Sequence, residues 1–201
     1  NGCTTGETMT ITASVAILTT VSLQAQNNCF GDADAAILVT PSNGMGPYAF
    51  LWSTGADTPG ISNLPAGTYF VSITDANGCR AVAGAIITEP ELLVLTANAA
   101  NGLCGNSNSG SATAQASGGT PPYSYLWSDG QTTATALDLG PGTYTATVTD
   151  AHDCTATTSV NITAPQPLVA SIINLQPASC ADEADGSAGV QVSGGIGPYT
   201  Y

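Results

Sequence analysis

Positive charge is almost missing from this chain. Arg80 is its one Arg or Lys, His152 its one histidine, and fourteen carboxylates leave a formal net charge of -13. A surface of that sign repels phosphate backbones and anionic lipid, which argues against nucleic-acid and membrane-surface binding, and no membrane insertion is expected. Charge of either sign is scarce as well, at 7% of residues, so solubility falls to Thr, Ser, Asn, Gln and Gly, a composition typical of secreted β-proteins. The sequence lacks any apolar run near the 18 or so residues of a spanning helix, and it lacks a basic leader and an initiator Met. A lone His with no matched Ser or Cys nucleophile gives no catalytic grouping, so His152 reads as a solvated turn residue and the chain as no enzyme. No cofactor is implied. Cys-x-x-Cys spacing is absent, which disfavours a thiolate metal site.

What is present is repetition. Pro47-Tyr48-Ala49-Phe50-Leu51-Trp52-Ser53 returns as Pro122-Tyr123-Ser124-Tyr125-Leu126-Trp127-Ser128, and a third copy begins at Pro198-Tyr199-Thr200-Tyr201, at offsets of 75 and 76. Gly67-Thr68-Tyr69 returns as Gly142-Thr143-Tyr144, and Thr74-Asp75-Ala76 as Thr149-Asp150-Ala151. The period predicts an array of small modules: the end of one repeat over 1–13, complete repeats over 14–89 and 90–164, and the start of another over 165–201. Asn1-Gly2-Cys3 matches Asn77-Gly78-Cys79 and Tyr201 matches Tyr125, so both ends read as internal cuts in a longer chain.

Within one repeat, Thr, Val, Ala and aromatic residues alternate in short runs broken by Gly, Pro, Asn and Asp. That is the pattern of an all-β sandwich, and helix signals are missing. In the second repeat the strands are expected at 92–100 (A), 110–117 (B), 122–128 (C), 133–139 (E, after a short D at most), 143–149 (F) and 155–163 (G). Alternation places Tyr69, Val71 and Ile73, and likewise Tyr144, Ala146 and Val148, on the core face of F. On strand C it groups Tyr48, Phe50 and Trp52, and Tyr123, Tyr125 and Trp127. Leu64-Pro65-Ala66-Gly67-Thr68-Tyr69 and Leu139-Gly140-Pro141-Gly142-Thr143-Tyr144 have the form of a tyrosine corner, which with a strand-C Trp points to tandem immunoglobulin-like β-sandwich repeats. The position two residues after the corner Tyr is Val71 or Ala146, so the antibody B-to-F bridge is excluded.

Six cysteines, two per repeat, form two series: Cys29, Cys104, Cys180 and Cys3, Cys79, Cys154. Pairing within a module joins Cys29 to Cys79 and Cys104 to Cys154; pairing across the junction joins Cys79 to Cys104, Cys3 to Cys29 and Cys154 to Cys180. Placing the A-to-B and F-to-G turns at one pole favours the within-module set, because a junction bridge would have to span a module, far beyond the roughly 7 Å of Cα separation that a disulfide tolerates. Disulfides imply an oxidising, extracytoplasmic compartment.

The string Gly-Gly-Thr-Pro-Pro-Tyr-Ser-Tyr-Leu-Trp-Ser-Asp-Gly-Gln-Thr-Thr (118–133), followed by Gly142-Thr143-Tyr144 and by Thr-Asp-Ala-Asn-Gly-Cys (74–79), resembles the SprB-type repeat. That repeat occurs in large surface adhesins of gliding bacteria and related secreted proteins. The resemblance covers essentially the whole chain and implies export to the cell surface by the type IX route and a role in adhesion or as a stalk; it supplies no catalytic residue.

Other candidates have bland competitors. Asp32 and Asp34, then Asp182, Glu183 and Asp185, follow the A-strand cysteine and could offer calcium its oxygens, but Asn106, Ser107, Asn108 and Ser109 replace them in the middle repeat, so plain polar turns are favoured and no metal is expected. The Tyr48, Phe50, Trp52 stripe is read as core rather than as a sugar platform. Asn161-Ile162-Thr163 fits a sequon that has little force here. Strand G ends at Ile87-Thr88-Glu89-Pro90 and Ile162-Thr163-Ala164-Pro165, close to the next strand A, too few residues for a flexible linker. The reading is a structural shaft of an extracellular adhesin or filament. Its partners are expected to be neighbouring repeats of the same chain, with self-association into fibres and with glycans or surfaces; the rival is an array of carbohydrate-binding modules.

Overall fold

Every regular element is a β-strand among residues 15–105 and 108–201, which the computed structural model describes. The segment expected to end a preceding repeat, with Cys3, lies outside those residues, as do Asn106 and Ser107. The chain divides between Glu91 and Leu92 into two units.

In the first unit, β1 (Leu18–Ala25), β2 (Ala35–Ser42) and β4 (Gly60–Leu64) form one antiparallel sheet, and β3 (Ala49–Trp52), β5 (Gly67–Thr74) and β6 (Arg80–Ile87) form the other. The second unit repeats the arrangement. There β7 (Val94–Ala100), β8 (Gly110–Ser117) and β10 (Thr135–Leu139) face β9 (Ser124–Trp127), β11 (Gly142–Thr149) and β12 (Thr155–Ile162). Strands A, B and E in one sheet and C, F and G in the other make each module an immunoglobulin-like sandwich. The second unit also holds the hairpin of β13 (Val169–Gln176) and β14 (Ser187–Ser193). Strand C is shorter than its sequence pattern: it starts at Ser124 rather than Pro122, since proline offers no N–H to the ladder. No D strand forms between β3 and β4 or between β9 and β10.

Period-two alternation turns one face of each strand inward. Ala35, Ile37 and Val39 of β2 meet Tyr69, Val71 and Ile73 of β5 around Trp52, all buried. The second core uses smaller residues, with Ala112, Ala114 and Ala146 where the first has Ile37, Val39 and Val71. Part of the lost volume is restored from strand A, where buried Leu95 takes the register position that Thr19 has in the first module. Trp127 is 1% exposed and donates its indole N–H to the Thr133 carbonyl at 3.0 Å, as Trp52 does to Thr58 at 2.8 Å.

The chain makes five passes between the two poles of a module. β3 pairs with the upper half of β5 (Ala49 opposite Thr74, Trp52 opposite Val71), and β4 pairs with the lower half of β2 (Gly60 opposite Leu38, Leu64 opposite Ala35). β3 and β4 therefore share a single downward pass that changes sheet at 53–59. The A-to-B turn falls at the lower pole, where Gly31 N–H donates to Glu89 just past the end of β6 at 2.6 Å. The F-to-G turn falls at the upper pole, where β6 begins. In the second module Gly102 N–H donates to the Thr163 carbonyl at 2.9 Å, tying the end of β7 to the end of β12, while Cys154 precedes the start of β12.

This corrects the expected disulfides. Cys29 and Cys79, and Cys104 and Cys154, stand at opposite poles, an eight-residue strand apart, or about 26 Å against the roughly 7 Å limit. Neither within-module bridge can therefore form in this fold.

Replacing Ile37 with Ala removes a fully buried side chain from the first core. We expect a loss of about 2–5 kcal/mol in that module, read as a lower denaturation midpoint by tryptophan fluorescence; an unchanged midpoint would contradict this core assignment.

Candidate functional site

Each module's upper pole is organised by one buried carboxylate. Asp75, 5% exposed at the end of β5, accepts backbone N–H groups from Asn77 (2.9 Å), Cys79 (2.9 Å) and, across the B-to-C loop, Met45 (3.2 Å). Asp150 repeats the pattern with His152 (2.8 Å), Cys154 (3.0 Å) and Thr120 (2.8 Å). The backbone closes the same joint, since Ala76 N–H donates to Met45 O and Ala151 N–H to Thr120 O, both at 2.8 Å. Burial pushes the Asp75 acid up, but the N–H groups of Met45, Cys79 and Asn77 outweigh it and hold its pKa below the ordinary value. Asp150 is lowered likewise: burial raises it, and N–H groups of Thr120, His152 and Cys154, then the His152 charge, overcome the rise.

The approach of loop to carboxylate requires glycine. Gly44 (φ +68°) and Gly119 (φ +60°) occupy the left-handed region, and a Cβ there would stand 2.9 and 2.6 Å from the Asp75 and Asp150 carboxylates. Tyrosine hydroxyls clamp the loop from the other side, Tyr48 to Asn43 O and Tyr123 to Gly118 O.

The lower pole carries the corner tyrosines. The Tyr69 hydroxyl donates to Pro65 O at 2.9 Å and that of Tyr144 to Gly140 O at 3.2 Å. Here Asn27 is buried, and its side-chain oxygen accepts the N–H groups of Asp34 and Ala35 at 3.0 Å. Asp32 accepts Cys29 N–H, Asp34 the Asn28 amide, and Asp185 the N–H of Ser179, so these carboxylates close their own turns. Among the described residues, no three His, Cys, Asp or Glu side chains are grouped to hold a metal.

Of the aromatic stripe, Trp52 and Trp127 are interior, and Tyr48, Phe50, Tyr123 and Tyr125 are half-buried against the cores. A flat stacking platform is therefore not displayed on strand C. His152 lies exposed in the F-to-G turn, where its backbone N–H serves Asp150.

The sequence matches the SprB repeat family three times, over residues 22–57, 96–132 and 172–201, just over half of the chain. The chain belongs to the SprB repeat family. Each match begins in strand A, and those at 22–57 and 96–132 run just past strand C. No curated protein matches the chain. Among solved structures, a Dscam structure concerned with isoform specificity is 14% identical (TM-score 0.35), over 76% of this chain and 46% of that one. The amphioxus IgVJ-C2 molecule is 17% identical (TM-score 0.33), over 69% and 98%; the N-terminal four Ig domains of Dscam1 isoform 6.9 are 11% identical (TM-score 0.32), over 69% and 42%. This SprB-repeat chain thus spans under half of either Dscam structure, and its fold assignment rests on strand pairing.

Because both acids titrate below their ordinary range, their contribution is fully present above about pH 3.9 and is lost as pH falls through the lowered folded value. Asp75→Asn with Asp150→Asn should lower the melting temperature at pH 7 and flatten its decline between about pH 4 and 2. A double variant with an unchanged acid limb would contradict the assignment. Tyr69→Phe should cost about 1 kcal/mol through the lost bond to Pro65, measured by denaturant unfolding.

Proposed function

We propose that this chain is a segment of a non-catalytic extracellular shaft, part of a bacterial surface adhesin or filament whose repeats are joined end to end. Membership of the SprB repeat family supports a surface protein, and export by the type IX route belongs to the same proposal. Two modules of one frame, with different core residues but the same joints at both poles, suit a part whose role is length and presentation.

The observation that carries the reading is the junction inside the second unit. Residues 163–168 connect β12 to β13, and Pro165 and Pro167 lie against two glycines. A Cβ on Gly105, in the A-to-B turn of the second module, would stand 2.4 Å from Pro167 N and 2.7 Å from Pro165 O. A Cβ on Gly194, in the loop after β14, would meet Pro167 O at 2.0 Å, and Gly195 N–H donates to Gln166 O at 2.7 Å. The connection is thus packed between two turns, and proline restricts it further. Self-association or adhesion would fall to the outer sheet faces, which are exposed to neighbours along the whole length of such a shaft.

Small-angle scattering on the 201-residue chain tests this. A shaft gives a rod-like profile with an advance of roughly 35–40 Å per repeat, the length of eight-residue strands plus their turns. A compact profile, or one requiring freely reorienting modules, would overturn the shaft in favour of independent binding domains.

A further inference from the structure

We propose that the outer face of the β3, β5 and β6 sheet in the first module binds the same face of a second copy of this chain, with the two copies antiparallel. The fold itself does not require that face to be apolar. In the second module the matching positions are polar: Thr145 and Ser159 hydroxyls bond each other at 3.0 Å, and Asn161 lies opposite Thr143. The first module has Phe70, Gly84 and Ile86 at the places of Thr145, Ser159 and Asn161, and Val82 at that of Thr157.

Leu51, Phe70, Val82 and Ile86 are 58%, 55%, 70% and 72% exposed. The register makes them neighbours, since Leu51 and Val82 both lie opposite Ser72, Phe70 lies opposite Gly84, and Ile86 lies opposite Thr68. Together they form a patch on the order of 400 Å², a size at which surface patches are commonly functional. The face is also flat. A Cβ on Gly84 would come within 2.8 and 3.1 Å of two Phe70 ring carbons, so the ring lies down across β6. A flat apolar sheet face is well covered by another, at the roughly 10 Å spacing of packed sheets.

Charge points to a second copy and sets its direction. The outward positions of β3, β5 and β6 hold no carboxylate, and their one charge is Arg80, exposed at the upper end with its guanidinium donating to Ser72 Oγ at 2.7 Å. The opposite sign stands past the lower end of β6, at Glu89 and Glu91. Turned antiparallel about Gly84, one copy lays Val82 over the second copy's Ile86 and Arg80 over its Thr88, beside Glu89. Two-fold symmetry makes each pairing twice. Parallel copies would instead stack Arg80 on Arg80, like charge on like. Nucleic acid and anionic lipid are repelled by the net charge of -13, and a glycan would find few hydrogen-bonding groups on this face.

Two such faces bury on the order of 800 Å², short of the roughly 1,200 Å² of a stable interface, so a single pair is weak. Along a shaft, further pairs of this kind would add through effective concentration and bundle the chains side by side. The pairing supplies the shaft proposed above with a lateral contact and rests on that reading for its role.

Sedimentation equilibrium of the 201-residue protein from about 10 µM to about 1 mM, where weak contacts become populated, should show the average mass rising toward twice that of the monomer. Phe70→Thr, Val82→Thr and Ile86→Asn together install the second module's residues and should keep the chain monomeric with an unchanged far-UV circular dichroism spectrum. Arg80→Glu alone should weaken the association. A monomer over the whole range, a dimer that the triple variant leaves intact, or an association indifferent to Arg80→Glu would overturn the proposal. So would a monomer that adsorbs through this face to alkyl-coated beads or to an insoluble glycan, which would give the face to a foreign surface. A rod-like monomer would overturn the pairing and leave the shaft standing, whereas a dimer of compact chains would do the reverse.

Discussion

An antiparallel sandwich returns every turn to one of two poles, and everything chemical in this chain depends on that sorting. B-to-C and F-to-G turns share the upper pole, and A-to-B and E-to-F turns share the lower. Cysteines that a sequence separation of about fifty residues would bring together are thereby held a strand length apart. The same sorting brings each F-to-G cysteine to a loop of fixed shape, with its backbone N–H on a buried carboxylate.

That carboxylate explains how a module with few charges orders a pole made of loops. Asp75 and Asp150 each satisfy three backbone donors that would otherwise be buried at a cost, and the facing glycine leaves the room they need. At the lower pole the corner tyrosine and Asn27 play the matching part in the first module. Between these fixed ends the core is free to vary, and it does: Ala112, Ala114 and Ala146 are tolerated because Leu95 comes in from strand A.

Much of this was legible in the residues. Alternation over short runs bounded by Gly and Pro is a local property, and it carries the strands, their inward faces and the immunoglobulin-like class. Asp75 and Asp150 were harder to see, although a recurring Asp after strand F in an acid-poor turn, matched by a recurring Gly in the B-to-C loop, was the available signal. The separation of the within-module cysteines was not legible, for a definite reason. Alternation tells which face a residue takes but not which pole a turn occupies, and the pole follows from counting passes. β3 and β4 together make one pass because the chain changes sheet between them; counted as two, they move the F-to-G turn to the wrong end.

The sorting of turns into poles is read most directly by amide hydrogen exchange at the joint between the B-to-C and F-to-G turns. Because that joint closes the upper pole, the N–H groups of Met45, Ala76 and Cys79, and of Thr120, Ala151 and Cys154, are expected to be protected as a set in each module. Exchange of these groups at the rate of open loops would contradict the account.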